Sequence, residues 1–187
     1  MELLTALGLA IPAGLNAYIP LLAVAVAQKV GWLQLREPYS LLGEWWAIVL
    51  IAVLLAVELV ADKVPAVDHI NDVIQTVIRP VAGGLLAIAV SPASSSVHPV
   101  LVVVAGVIVA GAVHAAKATT RPVVNTATAG FGAPVVSAIE DGVAAVTTFV
   151  ALAAPYLVGL AVILLAVLFW RLWARKRSRG AAVETGG

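Results

Sequence analysis

Apolar stretches long enough to cross a membrane make up most of this chain. A membrane-spanning helix needs roughly 20 mainly apolar residues to cross a hydrocarbon core of about 30 Å. The candidate spans are residues 3–27, 45–61, 73–90, 99–116, 134–153 and 156–172. The sequence therefore predicts an all-α fold, a polytopic transmembrane helical bundle of about six spans.

The composition agrees with that prediction and excludes several classes of protein. Apolar residues form 62% of the chain and charged residues 11%, whereas a soluble domain averages about 45–50% and about 25%. Such a chain cannot cover a water-facing surface, which excludes a soluble enzyme, a disordered protein and a nucleic-acid binder. The chain has no cysteine, so disulfides, thiolate metal sites and cysteine nucleophiles are excluded as well.

Two of the candidate spans are irregular. In the first, proline, glycine and asparagine interrupt the apolar run at residues 11–16, which predicts a broken helix. In the third, the apolar part at residues 80–90 would reach only about 16 Å. Either that helix begins upstream and carries Arg79, or the segment re-enters the membrane. Residues 25–27 resemble a signal-peptide cleavage site, but Glu2 and the lack of a preceding basic residue argue against cleavage.

The positions of lysine and arginine predict the orientation. Five basic residues between Arg171 and Arg179 follow the last span, which places the C-terminus in the cytoplasm. Counting back over six spans places Lys29 and Arg36 outside. We therefore expect an inner (cytoplasmic) membrane protein with one membrane domain, residues 1–173. A basic and then flexible cytoplasmic tail would follow at residues 174–187.

The middle of the chain predicts an internal tandem repeat, because residues 47–90 align without gaps with residues 101–144. Residue types that are costly in membranes carry the alignment, since chance matches of Ala and Val are frequent. The informative matches are Lys63 with Lys117, Asn71 with Asn125 and Pro80 with Pro134. Each unit would contain an apolar span, a polar connector and a second span that opens at proline. Compositional coincidence is the alternative.

The two connectors differ in character. In the first unit the connector is amphipathic, which predicts a helix, either in the membrane interface or folded inward with its polar face on a cavity. In the second unit residues 118–132 are rich in Thr and Gly, which predicts extended or broken backbone. Pro12 opens an apolar run as Pro80 and Pro134 do, so three Pro-opened helices would place their positive dipole ends near one level.

Polar and ionisable residues in and beside the predicted spans form the candidate site. A charge at the bilayer centre costs about 2.5–3.5 kcal/mol on insertion scales, so such residues face the interior of a bundle. A substrate or ion pathway would be lined by Asn16, Glu58, Asp62, Asn71, His114, Asn125, Glu140 and Asp141. Anions or lipid headgroups would be received by Lys63, Arg79, Lys117 and Arg121. The alternative is that these groups only pair with one another.

Enzyme or metal chemistry is not predicted. Asp68, His69 and Asp72 have the spacing of metal ligands on a helix, but the solvated face of an amphipathic helix explains them more simply. The chain contains no G-x-S-x-G sequence and no nucleotide-binding glycine motif. We therefore expect no enzyme activity, no cofactor and no metal site.

Three stretches of the chain resemble a known family. They are residues 12–20 (PAGLNAYIP), 61–65 (ADKVP) and 79–84 (RPVAGG). In these motifs the chain is similar to a bacterial integral-membrane family described as a domain of unknown function, over about residues 3–153. The resemblance implies a multi-span helical fold and carries over no activity, ligand or catalytic residue.

The leading functional hypothesis is a small transporter or channel for a small solute or ion, with a polar cavity on the cytoplasmic side. Membrane lipids are its expected partners. The short chain favours a homo-oligomer. A small-residue packing seam is predicted at Ala105, Gly106, Ala110 and Gly111. The alternative is a non-transporting, lipid-binding protein or partner subunit. That alternative is favoured if Glu58 and Glu140 point at Lys or Arg with no cavity between them.

Overall fold

The computed structural model describes residues 2–62, 65–92, 94–128 and 131–157, together with 159–160, 163–164, 167–168 and 170–171. The helices are α1 (Glu2–Leu15), α2 (Tyr18–Lys29), α3 (Trp45–Ala61), α4 (Pro65–Val90), α5 (Pro99–Ala127) and α6 (Ala133–Ala153), and a short 3-10 helix covers Tyr39–Gly43. No β-strand occurs in these described ranges. The prediction of an all-α fold is confirmed.

The helices have the dimensions and surface of a membrane bundle. Val73–Val90, Pro99–Val124 and Ala133–Ala153 are long and apolar enough to cross a membrane, whereas α1, α2 and α3 are shorter apolar helices. Large apolar side chains such as Val57 and Ile108 are about 60% exposed. Apolar surface on this scale marks a face that contacts lipid or protein, not water. The predicted helical membrane bundle is confirmed.

Helix α1 is the central element of the bundle and packs against α4, α5 and α6. The side chains of Ala6, Leu9 and Ala13 are completely buried. A Cβ atom on Gly14 would lie only 2.5 Å from the carbonyl oxygen of Ala110. Small residues therefore allow α1 to lie against the α5 backbone.

The break in the first apolar segment lies at residues 16–17, between α1 and α2. The Asn16 side-chain oxygen accepts hydrogen bonds from the backbone N–H groups of Tyr18 and Ile19, at 3.0 and 3.2 Å. This asparagine thereby caps the first turn of α2 and fixes where the chain breaks. Pro12 lies inside α1, so the prediction that Pro12 opens a helix is wrong.

Helix α1 runs from one end of the bundle into its interior. The carbonyl oxygen at its end, on Leu15, accepts a hydrogen bond of 2.9 Å from Lys117 in the second half of α5. Near its beginning, Leu4 lies beside Gly159, which follows the end of α6. Helix α1 therefore runs antiparallel to α6.

Helix α2 returns to the end of the bundle where α1 begins. The residues just after α2 reach the end of α4, where the Arg36 N–H donates to the Ala89 carbonyl at 2.9 Å. Helices of 14 and 12 residues reach only about 21 and 18 Å, which is less than the hydrocarbon core. The prediction of one interrupted span at residues 3–27 is wrong, because the chain reverses at Asn16 and α1 and α2 form a helical hairpin.

The third candidate span is one long helix. Helix α4 has 26 residues and reaches about 39 Å. It begins upstream at Pro65 and carries Arg79, as the first of the two alternatives predicted. Pro80 lies inside it, so the prediction that Pro80 opens a helix is wrong. Pro134 does lie in the first turn of α6, as predicted.

The first part of the Thr-rich connector, residues 118–127, is helical, contrary to the prediction of extended or broken backbone. Helix α5 continues without interruption to Ala127. The hydroxyls of Thr119, Thr120 and Thr126 each donate to a backbone carbonyl three or four residues earlier, at 2.7–2.9 Å. These bonds satisfy the polar side chains within the helix itself. Weak helix propensity is outweighed by the ion pairs that Arg121, inside this segment, makes with Asp62 and Glu140.

The predicted small-residue seam packs against α4 of the same chain. Gly106 and Ala110 are buried, and a Cβ on Gly106 would lie 2.5 Å from the Gly83 carbonyl oxygen and 2.8 Å from the Ala87 methyl group. Close approach of two helix backbones at small residues is a common contact in membrane bundles. This seam therefore holds one chain together, which removes it as a contact between copies.

The two proposed repeat units differ in how their connectors fold. The first connector belongs to the helix that follows it, α4, whereas residues 118–127 belong to the helix that precedes them, α5. The tandem repeat thus stays a prediction from sequence. The sixth candidate span, residues 156–172, lies only partly within the described residues, and the tail at 174–187 lies outside them.

The contact between α4 and α5 generates a test with a matched control. We expect Gly106→Ala to lower the free energy of unfolding by about 1–3 kcal/mol, because the added methyl group overpacks a backbone contact. Gly142→Ala, in a helical position where a Cβ meets nothing within 4 Å, should be neutral or stabilising, since alanine favours helix. Thermal unfolding of both variants in one detergent, followed by circular dichroism, measures the difference. Equal stability of the two variants would contradict the seam.

Candidate functional site

A group of buried ionisable side chains lies where α3, α4, α5 and α6 meet, and we term it the charged cluster. Its members are Glu58, Asp62, Arg79, His114, Lys117, Arg121 and Glu140. Six of them are at most 6% exposed, and the side chain of Glu140 is 13% exposed. Ionised groups removed from water in this way need partners of opposite charge.

The spacing along each helix brings these side chains to one place. Glu58 and Asp62 lie four residues apart at the end of α3, so they share a face. His114, Lys117 and Arg121 follow one another at three and four residues along α5, and they share a face for the same reason. Helices α3 and α5 therefore present one acidic and one basic row to each other.

Asp62 is the hub of the charged cluster. Its Oδ2 atom lies 3.2 Å from Arg121 and 3.5 Å from Lys117, and 4.0 Å from Arg79. Its Oδ1 atom accepts a hydrogen bond of 2.7 Å from the Asn71 amide. A single carboxylate at the end of α3 thereby connects α3 to both α4 and α5.

Glu140 joins α6 to the same cations. Its Oε2 atom lies 2.8 Å from Arg121 and 3.0 Å from Lys117. The sequence predicted a cationic partner for the carboxylates at 140–141, and Glu140 has two. Asp141 instead accepts a hydrogen bond of 3.0 Å from the Asn16 side-chain amide at the hairpin tip.

Arg79 is completely buried and bridges Glu58 and His114. One terminal nitrogen donates to Glu58 Oε1 at 2.9 Å, and the other lies 3.0 Å from His114 Nδ1. A guanidinium group only donates hydrogen bonds, so His114 Nδ1 must accept. The imidazole is therefore neutral, and its Nε2–H donates to the Thr76 hydroxyl at 3.1 Å.

The charges of the cluster cancel. The three carboxylates of Glu58, Asp62 and Glu140 face three cations, Arg79, Lys117 and Arg121. With His114 neutral, the net charge is zero. A balanced set of this kind can exist away from water at a much lower cost than any of its members alone.

The tip of the α1–α2 hairpin rests on the charged cluster. Lys117 donates to the Leu15 carbonyl, at the negative end of the α1 dipole, where a cation is favourable. Asn16 holds Asp141 of α6 with its amide nitrogen while it caps α2 with its oxygen. Any movement of the hairpin tip therefore disturbs contacts of the cluster.

Four buried polar side-chain atoms have no hydrogen-bond partner among the described residues. They are Glu58 Oε2, Gln75 Oε1, Arg79 Nε and, on α6, Ser137 Oγ. Gln75 is only 2% exposed and lies one helical turn before Arg79. Buried polar atoms without partners are rare in native proteins and need an explanation. Those on Glu58, Gln75 and Arg79 mark one side of the cluster as a place where a further polar group would be favourable.

Sequence reasoning did not single out Gln75. The residue lies on the polar face of the amphipathic connector, which is predicted to lie either in the membrane interface or folded inward on a cavity. The inward position is the one observed, because Gln75 is buried while Val73 and Val77 on the opposite face are more than 60% exposed. The alternation of polar and apolar residues along α4 already separates Gln75 from the valines. In a membrane the apolar face of such a helix turns outward toward lipid, so the polar face is the buried one.

Several predicted site residues cannot be placed in the cluster. Lys63 lies outside the described residues, as do the side chains of Asn125, Asp68, His69 and Asp72. In the described part of the chain, no group of three or more His, Asp or Glu side chains is arranged to hold a metal ion. The anion-binding role assigned to Arg79, Lys117 and Arg121 stays a prediction, and each of these cations contacts a carboxylate.

Loss of the hub carboxylate should destabilise the protein strongly. Asp62→Asn leaves a buried excess positive charge, and breaking a buried ion pair from one side costs about 3–5 kcal/mol. The double variant Asp62→Asn/Lys117→Gln restores neutrality and should regain part of the lost stability. Unfolding of both proteins in detergent, with exposed Glu44→Gln as control, measures these effects. A double variant that is less stable than Asp62→Asn alone would contradict the charge-balance argument.

Comparison with known proteins gives a family and no function. No curated protein and no solved structure matched the chain. The resemblance seen in residues 12–20, 61–65 and 79–84 is confirmed, and it extends further than residue 153. The model of a family described as a domain of unknown function (DUF4126) matches residues 3–175, and the chain belongs to that family.

Proposed function

We propose that this helical membrane protein is a small transporter or channel, and that its pathway passes through the charged cluster. The observation that carries the proposal is a buried, charge-balanced cluster with unpartnered polar atoms, located at the tip of the α1–α2 hairpin. Ionisable residues inside a membrane are costly and usually mark ion or substrate pathways. Short, broken helices mark the substrate site in many transporters.

Stability alone is a poor reason for such a cluster. Buried ion pairs contribute little net stability, and apolar residues of similar size often replace them without loss. A chain that needed only to hold four helices together would do so with apolar contacts like those of the α4–α5 seam. The six charged side chains are therefore better explained by a role in which ions or polar solutes exchange with them.

The hairpin supplies the moving part of the proposed mechanism. Its tip is held by the Lys117–Leu15 and Asn16–Asp141 hydrogen bonds, and α1 and α2 reach the cluster from one side of the bundle only. Withdrawal of the tip would connect the cluster to that side. The charged cluster would then act as the gate toward the opposite, cytoplasmic side.

A lipid-binding or partner-subunit role is the second candidate, and two observations favour it. Glu58 and Glu140 both point at cations. An apolar groove of about 450 Å³ lies between α2, α3 and α6 and is lined by Leu22, Val26, Leu55 and Phe149, among others. The groove suits an acyl chain, and the paired charges would then be structural.

Assembly and location belong to the same proposal. A chain of 187 residues is short for a solitary transporter, so we propose two or more copies in the cytoplasmic membrane, among its lipids. Because the Gly106 seam is occupied within one chain, copies would meet through another face. No enzyme activity is part of the proposal.

Freeing the hairpin tip should increase flux. Asn16→Ala removes both the link to Asp141 and the cap of α2, so the tip should spend more time withdrawn. Purified protein in vesicles of phosphatidylethanolamine and phosphatidylglycerol is tested with potassium, chloride, protons and glycerol as probes. We expect at least one probe to pass faster than in protein-free vesicles, and faster again with Asn16→Ala, by on the order of tenfold for a barrier change of about 1.4 kcal/mol.

Exposed Gln34→Ala, which removes an amide far from the tip, serves as the control and should behave as the unmodified protein. Glu140→Gln is a second variant, because it removes a cluster charge without touching the α2 cap. If no probe passes faster than in protein-free vesicles with any of these folded proteins, the transport proposal is wrong and the lipid-binding candidate remains.

A further inference from the structure

Two buried acceptor atoms, one on Glu58 and one on Gln75 of α4, have no hydrogen-bond donor among the described residues. Arg79 occupies Glu58 Oε1, whereas Glu58 Oε2 has no hydrogen-bond partner in the described part of the chain, and neither has Gln75 Oε1. Both residues are 2% exposed. Gln75 lies one helical turn before Arg79 on α4 and so on the same face of that helix, and Arg79 binds the Glu58 carboxylate. The two orphaned acceptors therefore belong to one small polar site.

We propose that Glu58 Oε2 is a proton-binding site and that the bound proton is donated in a hydrogen bond to Gln75 Oε1. A proton taken up from water would form the O–H bond at Oε2, and one added hydrogen would satisfy both orphaned acceptors. A metal cation suits the site poorly, because the Arg79 guanidinium lies 2.9 Å from the same carboxylate. A proton needs no shell of ligands and binds at Oε2, the oxygen to which Arg79 does not donate.

The groups that surround Glu58 determine what its protonation does. They are Tyr18 on α2, Asp62 on α3, Gln75 and Arg79 on α4, and His114 and Lys117 on α5. With Glu58 ionised, the cluster holds three negative and three positive charges. With Glu58 protonated, three cations share the two carboxylates of Asp62 and Glu140, and the cluster carries a net charge of +1.

Arg79 has a second carboxylate within reach. Asp62 Oδ2 lies 4.0 Å from the Arg79 nitrogen that bonds Glu58, so loss of the Glu58 charge favours movement of Arg79 toward Asp62. Asp62 already binds Lys117, and a closer Arg79 would weaken that pair. Lys117 also holds the Leu15 carbonyl at the hairpin tip. Protonation of Glu58 is thus connected to the tip through two side chains.

Proton binding at Glu58 stands independently of transport, but its use as the coupling ion rests on the proposed function. In that role each protonation would loosen the tip, and each release would restore the balanced cluster. The direction of a proton gradient would then decide the direction of net movement through the protein.

The proton site is tested by infrared difference spectroscopy of the full chain in phosphatidylethanolamine and phosphatidylglycerol vesicles, recorded while the pH is lowered. We expect a carboxylic C=O band that Glu58→Gln removes and exposed Glu44→Gln preserves. Gln75→Leu should keep this band but move it to higher frequency, because the protonated carboxyl loses its acceptor. Absence of a Glu58-dependent band at every pH at which the protein stays folded overturns the proposal.

The variants distinguish a proton site from a structural carboxylate. A band that Glu58→Gln removes but Gln75→Leu leaves at the same frequency refutes the hydrogen bond to Gln75. If Glu58→Gln does not fold, Gln75→Leu decides alone, because only a proton beside Gln75 gives a band whose frequency depends on that residue.

The coupling is tested in the same vesicles with a trapped pH-sensitive dye and the probes named above. Flux that rises with an inward proton gradient, and loses this dependence in Glu58→Gln, supports the coupling. Flux of a probe that does not change with the proton gradient refutes the coupling and leaves the transport proposal intact. A Glu58-dependent band without flux of any probe refutes transport and leaves the proton site intact.

Discussion

Charge neutrality in a space without water is the constraint on which the rest of this structure depends. Arg79 is fully buried, and Glu58 and Asp62 are nearly so. None of these groups could remain ionised there alone, because the desolvation cost of a single ion exceeds what ordinary packing offers. The cations must therefore come within about 4 Å of the carboxylates, and this requirement brings α3, α4, α5 and α6 together at one level.

The membrane environment explains the inverted pattern of α4 and the closeness of the helices. In water an amphipathic helix turns its apolar face inward, but here Val77 is exposed and Gln75 is buried. With lipid outside, apolar burial gives the helices little reason to associate, so close backbone contacts and polar bonds must do so. The Gly83–Gly106 contact and the charged cluster are these two kinds of contact, and they are neighbours on the same helix pair, since Arg79 lies one helical turn before Gly83.

The sequence predicts the fold class and most of the cluster for one reason. Few charges occur in the apolar spans, and each must face the interior, which suffices to select Glu58, Arg79 and Glu140. The sequence does not predict which charges pair, because pairing depends on how the helices are rotated and shifted. The helical connector in α5 was missed because helix propensity describes isolated helices. In the folded chain, Lys117 and Arg121 hold this segment through ion pairs with Asp62 and Glu140, which are distant in sequence.

The α1–α2 hairpin was missed for a different reason, and that reason bears on the proposed mechanism. Pro12 is the more conspicuous helix breaker in the sequence, yet the chain reverses at Asn16, where one side chain supplies both a cap and a bond to α6. A reversal held by a few hydrogen bonds costs less to move than a helix packed along its whole length. Because those bonds reach Lys117 and, through it, Asp62, a change of charge at the cluster and a displacement of the tip are two parts of one equilibrium.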